Sequence, residues 1–172
     1  MELTLRIFLY LWYGFLSLLA VIALCIGWFY AIGIQQGVDD PEAFFTAHRA
    51  ELQALVEKMR HTDVYAFRES TDYALARKRR SKPEDESLYL DVQSYLQAKK
   101  ILAITVIGED NGNLDSVTFQ LQYSLSGYRG EHIVKLYYVE PGADTSAYLD
   151  PSQCKSLEAP YWLLCRIKTG SQ

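Results

Sequence analysis

Cysteine, histidine and proline are all scarce, at 3, 3 and 5 in 172 residues. That cysteine count excludes a disulfide-dense mini-protein. His48, His61 and His132 stand far apart, and no pair has the spacing of a helical zinc motif such as H-E-x-x-H. The chain also lacks a Cys-x-x-Cys, a phosphate-cradling glycine loop and a nucleophile elbow. Asp110, Asn113 and Asp115 offer oxygens, but Gly112 and Leu114 fall where a calcium loop needs ligands. The expectation is a non-enzyme, with no catalytic residue, metal or cofactor. A formal net charge of -4 has the wrong sign for a dedicated nucleic-acid binder.

Charge is missing altogether from Ile7 to Ile34. A helix needs about 20 apolar residues to cross the hydrocarbon of a bilayer, and this run exceeds that. Tyr10, Trp12 and Tyr13 cluster near one end, and Trp28, Phe29 and Tyr30 near the other. At helical rise Tyr10 and Tyr30 lie roughly 30 Å apart, which would set the amphipathic rings at the two interfaces. A cleaved signal peptide is the competing reading, with Ala31-Ile32-Gly33 as a small-x-small site. Secretory apolar regions run only about 7 to 15 residues, so an uncleaved signal anchor is expected. The expected layout is a head at 1–6, a transmembrane helix at 7–34, a linker at 35–41 and an exported domain at 42–172. The head carries only Arg6 and the terminal amine against Glu2, and Asp39, Asp40 and Glu42 follow the span. Short, weakly basic heads stay inside, which puts the domain in the periplasm of a cell with a single pass through its inner membrane. Ser17, Ala20, Ala23, Gly27 and Ala31 step by three or four, a small-residue stripe suited to a homo-oligomer through the membrane helix. The lipid bilayer and other envelope proteins are the expected partners.

Beyond the span, Asp40 suits a helix cap and Pro41 a first turn. Phe45, Leu52, Leu55, Val56 and Met59 then recur at helical spacing to about Arg60. Asp63 to Arg68 and Tyr73 to Arg77 alternate, which predicts a short hairpin around Glu69 to Asp72. Arg77 to Lys82 packs five bases into six positions, with Glu84, Asp85 and Glu86 just behind. Those acids suit the first turn of a helix, and Ser81-Lys82-Pro83-Glu84 has capping-box spacing. The helix would bury Leu88, Val92, Tyr95 and Leu96, leaving the bases as a solvated loop. Ser116 to Leu125 alternates, with Val117, Phe119, Leu121, Tyr123 and Leu125 on one face, which reads as a half-buried strand. Ile101 to Ile107, His132 to Val139 and Tyr161 to Lys168 read as further strands, the first joined to it through an Asn-Gly loop. The expected class is α+β, with one or two helices packed on an antiparallel sheet of four to six strands.

Two sets of residues stand out on that domain. Tyr128 and Arg129 lie between Gly127 and Gly130 at the expected tip of a hairpin, and both residue types are enriched at binding hot spots, so they are marked as partner-binding. Cys154 and Cys165 are the cysteines outside the apolar run, and an oxidising compartment would join them in a disulfide.

Gly14-Phe15-Leu16 before an apolar run resembles the processing site of type IV pilins and pseudopilins, although Leu19 stands where that family usually has an acid. The resemblance implies a pilin-like subunit. The order of membrane helix, helices and strand meander is also similar to the NTF2-like or cystatin-like exported domains of secretion-channel subunits. The expected function is that of a membrane-anchored, non-enzymatic accessory or assembly subunit of secretion, pilus or transport machinery. A ligand-binding sensor or toxin-neutralising module is the alternative.

Overall fold

The computed structural model describes residues 2–31, 34–68, 71–77, 82–108, 113–126, 130–146 and 149–169. Helix α1 (Glu2–Ala31) contains 23 residues, Arg6–Trp28, that are apolar enough to cross a membrane, and none of them is buried in the protein. This is an N-terminal apolar helix of the kind that serves as an anchor or a signal sequence. Helix α1 begins at Glu2, within the stretch expected to form the head.

Residues read from the sequence as the end of the span and the start of a linker instead form strand β1 (Ile34–Gly37). Gly37 has φ 99°, a conformation that turns the chain out of the strand. Asp40 then caps α2 (Pro41–Met59), its Oδ1 accepting the N–H groups of Glu42 and Ala43, each at 3.1 Å. The buried side of α2 is Phe45, Leu52, Leu55, Val56 and Met59, the apolar positions expected.

Where a hairpin is predicted, residues 69 and 70 of its turn lie outside the described residues, and the described flanks form strand β2 (Ala66–Phe67) and a single helical turn, α3 (Tyr73–Ala76). Asp72 caps that turn by accepting the Ala74 N–H, and among the described residues the two stretches are joined by a bridge between Val64 and Arg77, by the Tyr65 N–H donated to Ala76 O at 2.9 Å and by the Tyr65 hydroxyl donated to Leu75 O. Local capping by an Asp side chain outcompetes alternation over so short a stretch. Helix α4 (Pro83–Lys99) starts one residue later than the capping-box spacing implies: Lys82 N–H donates to Asp85 Oδ2 at 2.8 Å. Asp85 is 3% exposed, and its Oδ1 also accepts from Thr62 Oγ1 at 2.9 Å. A carboxylate satisfied at the positive end of a helix tolerates burial. Its inward position sets the phase of α4, so Tyr89 joins Val92 and Leu96 inside while Leu88 and Tyr95 are only half-buried.

The remaining strands are β3 (Ala103–Gly108), β4 (Leu114–Ser126), β5 (Gly130–Val139), β6 (Cys154–Ser156) and β7 (Trp162–Thr169). All pair antiparallel in one seven-stranded sheet of order β2-β3-β4-β5-β7-β6, with β1 joined to β4, so the α+β class stands and the strand count exceeds the expected four to six. Strand β4 is long enough to hold two partners end to end on one edge: β3 along Leu114 to Gln120, and β1 along Gln122 to Leu125. A bulge falls between them, where the register with β5 shifts between Gln120 and Gln122. The alternation along β4 changes there. Val117, Phe119 and Leu121 are fully buried, but Leu125, expected on the same face, is 37% exposed.

Candidate functional site: a recess beside Tyr161

Helix α2 packs its apolar side on the sheet, so the row Thr46, Arg49, Ala50 and Gln53 faces away from the core. Across from it the chain reverses before β7 through Ala159, Pro160 and Tyr161. Between them lies a recess of about 650 Å³, floored by Trp162 and Tyr138.

The floor is firm. The Trp162 ring is 1% exposed and lies 5.3 Å from Phe45, 5.4 Å from Tyr138 and 5.9 Å from Phe119 between ring centres. Its Nε1 donates to Gln53 Oε1 at 3.2 Å, which ties the outer row of α2 to the strand. Burial pushes the Tyr138 hydroxyl above its ordinary pKa, with the Arg60 guanidinium working against that rise.

The rim is unusual. Tyr161 has φ 69°, in the left-handed region that bulky side chains avoid, yet it is 52% exposed. Its backbone is held on both sides: its carbonyl accepts the Val139 N–H at 2.9 Å, and the next N–H, that of Trp162, donates to Ala159 O. The conformation costs roughly 1 to 2 kcal/mol, and a glycine would adopt it freely. Beside it, Arg49 is exposed and makes no ion pair among the described residues. The recess thus offers an exposed phenol, an uncommitted guanidinium, amide and hydroxyl groups and a rigid aromatic floor.

No family model, curated protein or solved structure matches this chain. The chemistry of its own surfaces is what bears on function.

Other polar clusters are paired internally, except that the buried Glu140 Oε2 has no hydrogen-bond partner among the described residues. At the C-terminal end of α2, Arg60 Nη1 lies 2.8 Å from Glu140 Oε1 and its Nε 3.1 Å from Glu57 Oε2, and the Glu140 contact raises the guanidinium pKa further. This pair lines a second recess of about 470 Å³ that includes His61 and Asp115. Between α2 and α4, Glu51 accepts from Tyr95 at 2.9 Å and from Lys99 at 3.1 Å, with His48 3.5 Å from its other oxygen. Those contacts hold the Glu51 carboxyl below its usual range, and burial raises the Tyr95 hydroxyl. Both arrangements tie elements together. Among the described residues no group of three or more His, Cys, Asp or Glu could hold a metal ion.

The residues singled out from the sequence fall in three places. Tyr128 and Arg129 lie outside the described residues, as does most of the basic run, 78–81. Ser17, Ala20, Ala23 and Gly27 are exposed along α1, where a Cβ added at Gly27 would meet nothing, and the Ala31 side chain is outside the described set. Cys154 and Cys165 are directly opposed in the β6–β7 pair, their sulfurs at a bonding distance of 2.01 Å. The bridge closes a separation of 11 residues, and such a loop stabilises by roughly 3 kcal/mol in the chain-entropy treatment. Urea unfolding with and without reductant is expected to differ by that amount, and a difference under about 1 kcal/mol would show that β6 holds without the bridge.

The recess itself was missed. The sequence reads Tyr161 as the start of a strand, and no local pattern draws Thr46, Arg49, Ala50 and Gln53 to it. Only the chain reversal brings the two together.

Proposed function

We propose that the chain is a single-pass, membrane-anchored, non-enzymatic subunit of a cell-envelope assembly. Its N-terminus lies in the cytoplasm, α1 crosses the inner membrane, and the α+β domain is periplasmic. The recess beside Tyr161 receives a partner protein.

The observation that carries this reading is the conformation of Tyr161: an exposed ring kept at φ 69°, where glycine would remove the strain. Strain of this kind concentrates at functional sites, and Tyr and Arg dominate binding hot spots because each joins a large contact area to hydrogen bonding. The bridge between Cys154 and Cys165 supports an oxidising compartment.

Substitution separates binding from folding here. Tyr161→Gly relieves roughly 1 to 2 kcal/mol of strain and loses about 0.5 to 1 kcal/mol in backbone entropy, so stability is expected to change by no more than about 1 kcal/mol. Loss of a hot-spot side chain costs about 2 kcal/mol of binding, some 30-fold in affinity. The experiment is detergent extraction and affinity isolation of the full chain, with quantitative mass spectrometry comparing wild type, Tyr161→Gly and Arg49→Glu. Partners recovered equally with all three, at equal thermal stability, would refute the recess as the binding site.

A further inference from the structure

The Ile34–Leu125 end of the sheet carries an apolar pair with a defined neighbour, bordered on the β5 side by Glu131. Ile34 and Leu125 are register partners across β1 and β4, so their side chains share one face about 5 Å apart. Both are large, apolar and open, at 50% and 37% exposure. Such a pair forms a small apolar patch that a neighbouring surface could cover.

The chain itself indicates what does. Helix α1 ends at Ala31 and β1 begins at Ile34, so however that connection bends Ile34 lies within about 10 Å of the end of the apolar helix and Leu125 within about 15 Å. Nor is the domain free to drift away. Strand β1 is hydrogen-bonded into the sheet from its first residue, and α1 approaches the sheet at β4. Trp28, 67% exposed near the end of α1, marks the depth at which an aromatic side chain sits in the interface. A surface tied this closely to a bilayer-length helix is within reach of the interface, where amphipathic elements bury apolar groups about 5 to 10 Å into the headgroup boundary.

We infer that the Ile34–Leu125 end of the sheet is a lipid-contacting foot, seated in the interface of the bilayer that α1 crosses, an inference that rests on the anchored reading. The domain then stands on the membrane instead of hanging from a linker. Strand β4 runs away from the foot for about 30 Å at strand rise, as far as Ser116. Its far end pairs Ser116 with Val139, next to the Tyr138–Trp162 pair of the recess. Docking therefore presents the Tyr161 recess on the side away from lipid, at a fixed height.

The test uses the full chain in nanodiscs of phosphatidylcholine and phosphatidylglycerol, in a Cys25→Ser background with the native disulfide intact. An environment-sensitive fluorophore is attached at Leu125→Cys, at Leu24→Cys within α1, or at Asp144→Cys in the loop after β5. Leu24, Leu125 and Asp144 are all exposed, so no label has to enter the core. Nitroxide placed near the lipid headgroup is expected to quench the Leu125 probe about twofold. Nitroxide placed deep in the acyl chain should quench the Leu24 probe, and neither should reach Asp144. Quenching at position 24 with none at 125 overturns the foot while leaving the anchor standing, and is the result expected if a protein or a second copy covers the pair. Absence of quenching at 24 overturns the anchored reading and the foot with it. Equal quenching at 125 and 144 overturns the upright stance.

Discussion

Gly37→Ala is expected to destabilise the domain by about 4 kcal/mol, a large loss for one methyl group. A Cβ at that position would lie 2.1 Å from the carbonyl oxygen of Leu121 and 3.2 Å from the Cα of Gln122. The obstruction is backbone, so no side chain can rotate away from it. The φ of 99° adds strain that an L side chain does not relieve in place. The outcome is release of β1, because the Val38 N–H to Leu121 O bond of 2.8 Å and the Gln122 to Val38 bond hold the same corner. Val38, 8% exposed, would leave the core with it. Denaturant unfolding of the solubilised full chain measures the loss, and a change under about 1 kcal/mol would show that the corner yields. The same variant should leave the domain hanging from α1 on a flexible linker and weaken lipid quenching at Leu125.

That corner also shows what a sequence hides. Ile34-Gln35-Gln36-Gly37 is short, polar at its centre and ends in glycine, every mark of a linker, and it is a strand only because β4 has an unoccupied length of edge beyond its bulge. The partner lies far along the chain, so no local pattern signals the pairing. The bulge is equally silent: Ser116 to Leu125 alternates without interruption, and the slip at Gln120 to Gln122 turns Leu125 outward despite it. What local rules govern was legible. Asp40 and Pro41 start α2, the uncharged run makes α1, and the apolar face of α2 is the one its spacing gives. The buried face of α4 includes the expected Val92 and Leu96 but is turned toward Asp85 and Tyr89, for a physical reason. Hydropathy keeps an aspartate outside, whereas Asp85 is drawn in by the Thr62 hydroxyl and the Lys82 N–H. The two cysteines were legible as a pair, but their place opposite each other in a strand ladder was not, since β6 is three residues long.

Trp162→Ala should cost about 4 kcal/mol, within the range for deleting a large buried aromatic side chain. The ring is 1% exposed and touches rings from three separate elements: Phe45 on α2, Phe119 on β4 and Tyr138 on β5. These sit on a helix and on two neighbouring strands, so the cavity cannot close by the shift of a single element. The loss of the indole N–H also leaves Gln53 Oε1 without its donor, freeing the outer row of α2 from β7. Trp162→Phe keeps most of the volume and forfeits the hydrogen bond, and should cost only about 1 to 2 kcal/mol. Thermal unfolding separates the two, with the alanine variant expected to melt about 10 °C or more below wild type and the phenylalanine variant in between. If the alanine variant melts within about 3 °C of wild type, the floor of the recess is not the packed hub described above. If it melts low as expected, the phenylalanine variant becomes the informative one for function. Its recess keeps an aromatic floor while Gln53 is released, so weakened partner binding at near-native stability would assign Gln53 a place in the contact beside Tyr161 and Arg49.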